Sequence, residues 1–144
     1  MRTFLLCCTL CSVLVSCAPL EIHQTLSGTW DLQYYEDIAT GERYLKPEHV
    51  PKPVKITFTD KGKRGKFEGE TVVNSFYGKY RLYEDGTMEN TEFAGSLKRD
   101  PDWAQRFWDA FETANAFERD GQDLYIYFDN NQQRMAFLWN PDLD

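Results

Sequence analysis

Cysteine disappears from this chain after residue 17. Cys7, Cys8, Cys11 and Cys17 are the four that the 144-residue sequence holds. Whatever folds beyond Pro19 therefore has no disulfide, no thiol nucleophile, no thiolate metal ligand and no thiol redox couple. Histidine is nearly as scarce, with only His23 and His49. A Ser–His–acid triad has little to draw on, because Ser27 falls where a strand begins and Ser75 at a turn. Basic residues are outnumbered: 16 Lys and Arg stand against 23 Asp and Glu, a net charge of −7. Such a chain is repelled by phosphate backbones, which excludes nucleic-acid binding. The same balance predicts no electrostatic pull toward an anionic membrane. Long apolar runs are missing too. Phe4 to Val15 carries no charge, but it is shorter than the ~20 residues of a spanning helix. The acidic stretches "DNNQQ" and "EDGTMENTE" lack the Asp-x-Asp-x-Asp-Gly order of a calcium loop and read as turns. The many carboxylates define no acid–base pair without distances. No catalytic residue, metal ligand or cofactor motif emerges.

What the N-terminus does contain is ordered. Arg2 gives a positive start, the apolar run follows, and Leu14-Val15-Ser16-Cys17 closes it. This is the layout of a secretory signal peptide over residues 1–16. Its last four residues resemble the lipobox of bacterial lipoproteins. The resemblance implies that Cys17 is lipidated and becomes the first residue of the mature protein, whose acyl chains tie it to a membrane. Cys7, Cys8 and Cys11 then leave with the leader. Ala18, rather than Asp, follows the lipidated position, which by resemblance to lipoprotein sorting in Gram-negative bacteria implies the outer membrane of a cell envelope. Loss of the leader leaves 128 residues at a charge of −8, the size of one domain. Residues 17–26 read as lipidated Cys and short tether, 27–140 as the domain, and 141–144 as a tail.

The domain reads as strands with one helix. In "GTWDLQYY", Trp30, Leu32 and Tyr34 alternate with Asp31 and Gln33. Asp37 to Pro53, with three prolines, reads as a long loop. Val54, Ile56 and Phe58 share a face. Phe67, Gly69, Thr71 and Val73 point inward on the next strand, and Phe76, Gly78, Tyr80 and Leu82 on the one after. Thr87 to Phe93 is a weaker strand. "DKGKRGK" (Asp60 to Lys66) is a basic hairpin tip, solvated or offered to an acidic partner. The period then changes. Asp100 reads as an N-cap, Pro101 as the first helical residue, and Trp103, Phe107, Phe111 and Ala114 form an apolar stripe widened by Ala104 and Trp108. Leu124, Ile126, Phe128 and then Met135, Phe137, Trp139 mark two closing strands. The predicted fold class is α+β, mainly β: a curved antiparallel sheet or small partly open barrel with one amphipathic helix, about 101–116, before the last hairpin.

The order Gly28-Thr29-Trp30, "KITF", "NSFYGKY" (Asn74 to Tyr80), aromatic helix and "FERDGQDLYIYF" resembles the META domain family, the HslJ-like proteins of bacterial envelopes. The resemblance runs from Leu26 to Trp139, and its sharpest piece is Asn74-Ser75-Phe76 with Gly78 and Tyr80 behind. Members often carry a Cys where this chain has Val73. The family implies envelope residence and links to stress or secretion, but no catalytic residues.

Four residues are candidates for a structural or pocket role. Asn74 shares parity with Gly78 and Tyr80; it is either a turn residue tolerating positive φ or a buried amide that must find partners or line a cavity. Gly78 gives room for the helix aromatics to approach the sheet. Trp30 belongs to a Gly-x-Trp signature similar to that of lipocalins. Two functions follow. The first is a non-enzymatic envelope lipoprotein, bound to the membrane through Cys17 and acting on another envelope protein by contact. The alternative is a lipocalin-like carrier of a lipid or sugar, its pocket lined by the 15 % of residues that are aromatic.

Overall fold

The computed structural model describes residues 25–143. The leader, Cys17, the tether up to residue 24 and His23 lie outside the described residues. Nine strands and one helix follow: β1 (Gly28–Asp37), β2 (Arg43–Leu45), β3 (Lys55–Lys61), β4 (Arg64–Glu70), β5 (Ser75–Leu82), β6 (Met88–Gly95), α1 (Asp102–Glu112), β7 (Ala116–Asp120), β8 (Asp123–Phe128) and β9 (Gln133–Trp139), with a 3-10 turn at Pro141–Leu143. All pairings are antiparallel. The sheet order is β6-β5-β4-β3-β1-β9-β8-β7, and β2 also pairs with β1. The sheet curls strongly into a half-barrel. Its two edges approach each other at a Thr87–Ala116 bridge. No helix among the described residues is long and apolar enough to cross a membrane.

Small residues opposite large ones produce the curl. Across β4 and β5, Gly65 pairs with Tyr80, Phe67 with Gly78 and Gly69 with Phe76; across β5 and β6, Phe76 pairs with Gly95. Each ring lies over the glycine opposite, so neighbouring strands close on their inner face. A Cβ on Gly78 would stand 2.0 Å from the Glu92 carbonyl oxygen and 2.3 Å from the Phe67 ring. The room at Gly78 thus serves Phe67 and the β6 backbone first, and the helix only through Phe67.

Helix α1 lies in the concave face. Its aromatics meet the sheet directly, with ring centroids 4.9 Å apart for both Phe107–Phe76 and Phe111–Phe67. Trp103, Phe107 and Phe111 are essentially inaccessible to solvent. Burying a large aromatic contributes about 2–3 kcal/mol, so these three rings and their partners account for much of the drive to fold. Leu26, placed at the end of the tether by sequence, is also fully buried.

Several local expectations need correction. The strand face in β1 switches at Gln33, where the register with β9 shifts between Leu32 and Tyr34. The bulge turns Tyr35 into the core and leaves Tyr34 half-buried on the outside. The long proline loop contains β2, whose three residues are all exposed. Val73 is not inward but 44 % exposed, because β4 ends at Glu70 and the chain turns before reaching it. Helix α1 ends at Glu112, since Asn115 already donates its N–H to the Tyr127 carbonyl and β7 takes over. The closing segment is therefore a three-stranded meander rather than a single hairpin.

Candidate functional site

Asn74 anchors the polar centre of the molecule. It occupies the tight turn between β4 and β5, where the Thr71 N–H donates to the Asn74 carbonyl at 2.8 Å. Its φ is not positive, so conformational tolerance is not why an asparagine stands there. The side chain is buried and its amide makes four hydrogen bonds. Nδ2 donates to the Lys98 carbonyl at 2.7 Å and to Asp100 Oδ2 at 2.6 Å; Oδ1 accepts from Ser96 Oγ at 3.0 Å and from the Lys98 N–H at 2.8 Å. One amide thereby ties the β4–β5 turn to the segment that joins β6 to α1.

Asp100 completes the cluster and corrects its reading as an N-cap. The residue flanking the helix is Pro101, and no side chain caps it. The Asp100 carboxylate turns instead toward the β4–β5 turn. It accepts from Thr71 Oγ1 at 2.7 Å, the Val73 N–H at 3.1 Å, Asn74 Nδ2 and Trp108 Nε1 at 3.3 Å. Asp100 is 3 % exposed and has no cation partner among the described residues. Burial pushes its pKa up, but hydrogen bonds from Thr71, Asn74, Val73 and Trp108 outweigh that, so the pKa lies below the ordinary carboxylate value.

A groove of about 620 Å³ opens beside this cluster, lined by Tyr44, His49, Val73, Arg99, Asp102 and Trp103 among others. It is a surface depression, open to solvent. Two further depressions, near Asp85–Phe117 and near Arg106–Asp129, are similar in size and equally open. The inside of the half-barrel, where a carrier would hold its cargo, is filled by the aromatic rings.

The four candidates do not converge on one pocket. Gly78 and Tyr80 meet around Phe67, whose ring stacks on Tyr80 at 6.4 Å. The Tyr80 hydroxyl donates to Asp60; burial first, then that hydrogen bond and the Asp60 charge, raise its pKa. Trp30 lies across the sheet, its indole N–H donating to the Leu26 carbonyl at 2.9 Å and its ring under Arg119 at 5.0 Å. Asn74 stands apart at the far end of β5.

A second polar centre, on the outer face, was not visible in sequence. Glu36 of β1 is 7 % exposed and flanked by Arg43 of β2 and Arg134 of β9, at 2.9 and 2.5 Å. Burial opposes its ionised form, yet the hydrogen bonds from Arg43 and Arg134 win and lower its pKa. The guanidiniums also stack on tyrosines, Arg43 on Tyr34 at 4.4 Å and Arg134 on Tyr125 at 4.2 Å. Among the described residues no group of three or more His, Cys, Asp or Glu side chains could hold a metal ion.

A curled antiparallel sheet closed by one helix, with an Asn–Asp–Thr lock at the β4–β5 turn, defines a class of small mainly-β domain. Residues 24–141 match the META domain family profile, and the chain belongs to that family. Two solved structures share the fold. One is the NMR structure of a protein from Burkholderia xenovorans (TM-score 0.61, 18 % identity, 80 % of this chain and 83 % of that one). The other is the crystal structure of a DUF4847 family protein from Bacteroides vulgatus (TM-score 0.57, 20 % identity, 79 % and 93 %). No curated protein matches the chain.

Proposed function

We propose that this META-domain protein is an envelope lipoprotein, anchored through Cys17, that acts by contact with another envelope protein rather than by catalysis. The observation that carries the reading is the filled interior: a helix whose rings occupy the concave face leaves the outer surface as the part offered to others. The anchor reading is supported by Leu14-Val15-Ser16-Cys17. The contact reading is supported by apolar side chains exposed where Asn74 locks the loops together. Leu97 is 92 % exposed and Val73 44 %, and both adjoin residues of the lock. A lone exposed Leu needs no explanation; here the exposed side chains sit on loops held rigidly by a buried network, which lowers the entropy cost of a contact.

The test has two arms. In cells fed an alkyne fatty acid, the product should acquire acyl mass at Cys17 and lose it in Cys17→Ser. A photo-crosslinker at Leu97 should give a discrete adduct in intact cells, with none from Tyr83 at the other end of the sheet. Turnover of a defined substrate that depends on one polar side chain would overturn the non-enzymatic part. The carrier alternative requires copurified lipid or sugar in native mass spectra, and the aromatic filling of the half-barrel counts against it.

A further inference from the structure

The net charge of this chain conceals a cationic face. In β3, β4 and β5, side chains alternate between the core and the outside. The outward positions at one end form two cross-strand rows: Lys61–Arg64–Arg81 and Thr59–Lys66–Lys79. Lys63 adds a further cation at the hairpin tip. Six of the 16 basic residues thus gather on three strands and the turn joining two of them, in a protein whose net charge is −7. Lys63 pairs with Glu84 and Lys79 with Glu92, both at 2.6 Å. Lys61, Arg64, Lys66 and Arg81 have no ion pair among the described residues. The acids facing this patch are Glu84 and Asp85 at the β5–β6 turn and Glu89 and Glu92 on β6. Glu89 accepts a hydrogen bond from Tyr83. At the opposite end of the same strands the outward charges are mixed: Glu68 and Glu70 of β4 stand beside Lys55 of β3, and Lys52 pairs with Glu70 at 3.2 Å.

The chain arrives at the same end of the sheet, on its inner side. The Leu26 N–H donates to Asp60 Oδ2 at 2.9 Å and Thr25 Oγ1 to the same oxygen. Asp60 is the residue before Lys61, and the Ser27 hydroxyl accepts from its N–H. On the other side Arg119 donates to the Thr25 carbonyl at 3.1 Å, with Asp120 and Asp123 in the turn beyond. The eight chain steps from Cys17 to Thr25 span at most about 29 Å.

We infer that the outer face of β3–β5 around Lys61, Arg64, Lys66 and Arg81 docks the domain onto an anionic bilayer surface. The inference rests on the lipid anchor at Cys17 proposed above. Overall charge is no obstacle to it. Ions screen the surface potential within about 8 Å at physiological salt, whereas β4 alone extends about 20 Å from Arg64 to Glu70. Glu70 at its far end and the acids on β7–β9 lie beyond the reach of that field. Glu68, about 7 Å from Lys66, joins Glu84, Asp85, Glu89 and Glu92 within it, and the six cations still outnumber these acids, so the local excess of cations decides the orientation. Docked this way, the domain holds Val73 and Leu97 away from the bilayer, where a protein partner can reach them.

The test uses the full chain expressed with its own leader and reconstituted into vesicles bearing a headgroup quencher. A fluorophore is attached at Thr59→Cys on the patch or at Leu97→Cys at the other end. On vesicles with 30 % phosphatidylglycerol, the Thr59 label should be quenched several-fold more than the Leu97 label. That difference should vanish on pure phosphatidylcholine, in 0.5 M salt, and in Arg64→Gln/Lys66→Gln, whose fold is checked by circular dichroism. Equal quenching at both positions, or a preference that survives on neutral lipid, overturns the inference while an acylated product leaves the anchor standing. If intact mass shows no acyl group, the anchor reading fails by itself. The patch is then read by sedimentation with the anionic vesicles. Each neutralised cation costs about fivefold in association, so the double variant should lose about 25-fold; a chain that does not sediment overturns the docking surface as well.

Discussion

Replacing Asn74 with alanine should be among the most damaging single changes to this domain. The substitution removes four hydrogen bonds at once, two to the Lys98 backbone, one from Ser96 Oγ and one to the Asp100 carboxylate. A neutral bond contributes about 1 kcal/mol net and one to a charged group about 1.5–3 kcal/mol. The Lys98 N–H and carbonyl lie near the surface, and water can replace part of what they lose. The Asp100 carboxylate cannot recover as easily, being 3 % exposed with no cation partner among the described residues. The sum is about 4 kcal/mol, a large share of the 5–15 kcal/mol typical of a domain. In urea this should lower the midpoint by about 2 M at an unchanged slope. Asn74→Asp is the sharper control. It keeps the shape but sets a second carboxylate where the Asp100 bond measures 2.6 Å, so it should be at least as damaging at pH 7 and should recover partly as the pH falls and one of the pair protonates. A loss below 1 kcal/mol for Asn74→Ala, or an Asn74→Asp variant as stable as the parent at pH 7, would refute the claim that this network locks the turn.

Other outcomes follow from the same geometry. Gly78→Ala should cost about 2–3 kcal/mol in thermal or urea unfolding, because the added methyl meets the Glu92 carbonyl and the Phe67 ring; a neutral result would mean that β6 can retreat. Tyr35→Phe should cost about 1–2 kcal/mol by losing the 2.8 Å bond from its hydroxyl to the Trp103 carbonyl, with near-ultraviolet dichroism otherwise preserved. Asp100 and Glu36 both have lowered pKa values in the folded protein, so the unfolded chain binds their protons more tightly and stability rises with pH. Their contribution is complete above the unfolded values of about 4 and is lost as the pH drops through the folded ones. Asp100→Asn and Glu36→Gln should each flatten the acid limb of the stability curve, and a limb as steep as that of the parent would exclude the residue as its source.

What the sequence made legible depended on how each residue earns its environment. Val54–Ile56–Phe58, Phe76–Gly78–Tyr80–Leu82 and Leu124–Ile126–Phe128 alternate because one face of the sheet meets the core and the other meets water, and a two-residue period survives in the letters. β2 left no such trace, since none of its three side chains is buried. Tyr34 and Tyr35 exchanged roles because a bulge changes phase without changing composition. Asp100 shows the limit of local code. Asp-Pro-Asp before an aromatic run spells a helix start, yet the donors on Thr71, Val73 and Asn74 outbid the helix end for its carboxylate, and they come from a turn 26 or more residues earlier. Glu36 and Arg134, 98 residues apart, meet only through the register of the first and last strands. The significance of the Asn74 segment was readable as an inward-facing amide; its partners were not.

The position of β1 has a consequence for how the protein comes into being. β1, the first strand of the described residues, sits at the middle of the sheet, and one of its long edges remains bare until β9, the last of them, arrives to cover it. A nascent chain stopped anywhere before residue 133 would present a row of unsatisfied amides flanked by Trp30, Leu32 and Tyr35, an invitation to pair with a stranger. The sheet is thus complete only once β9 has been made, and Gln133–Trp139 act as its clasp.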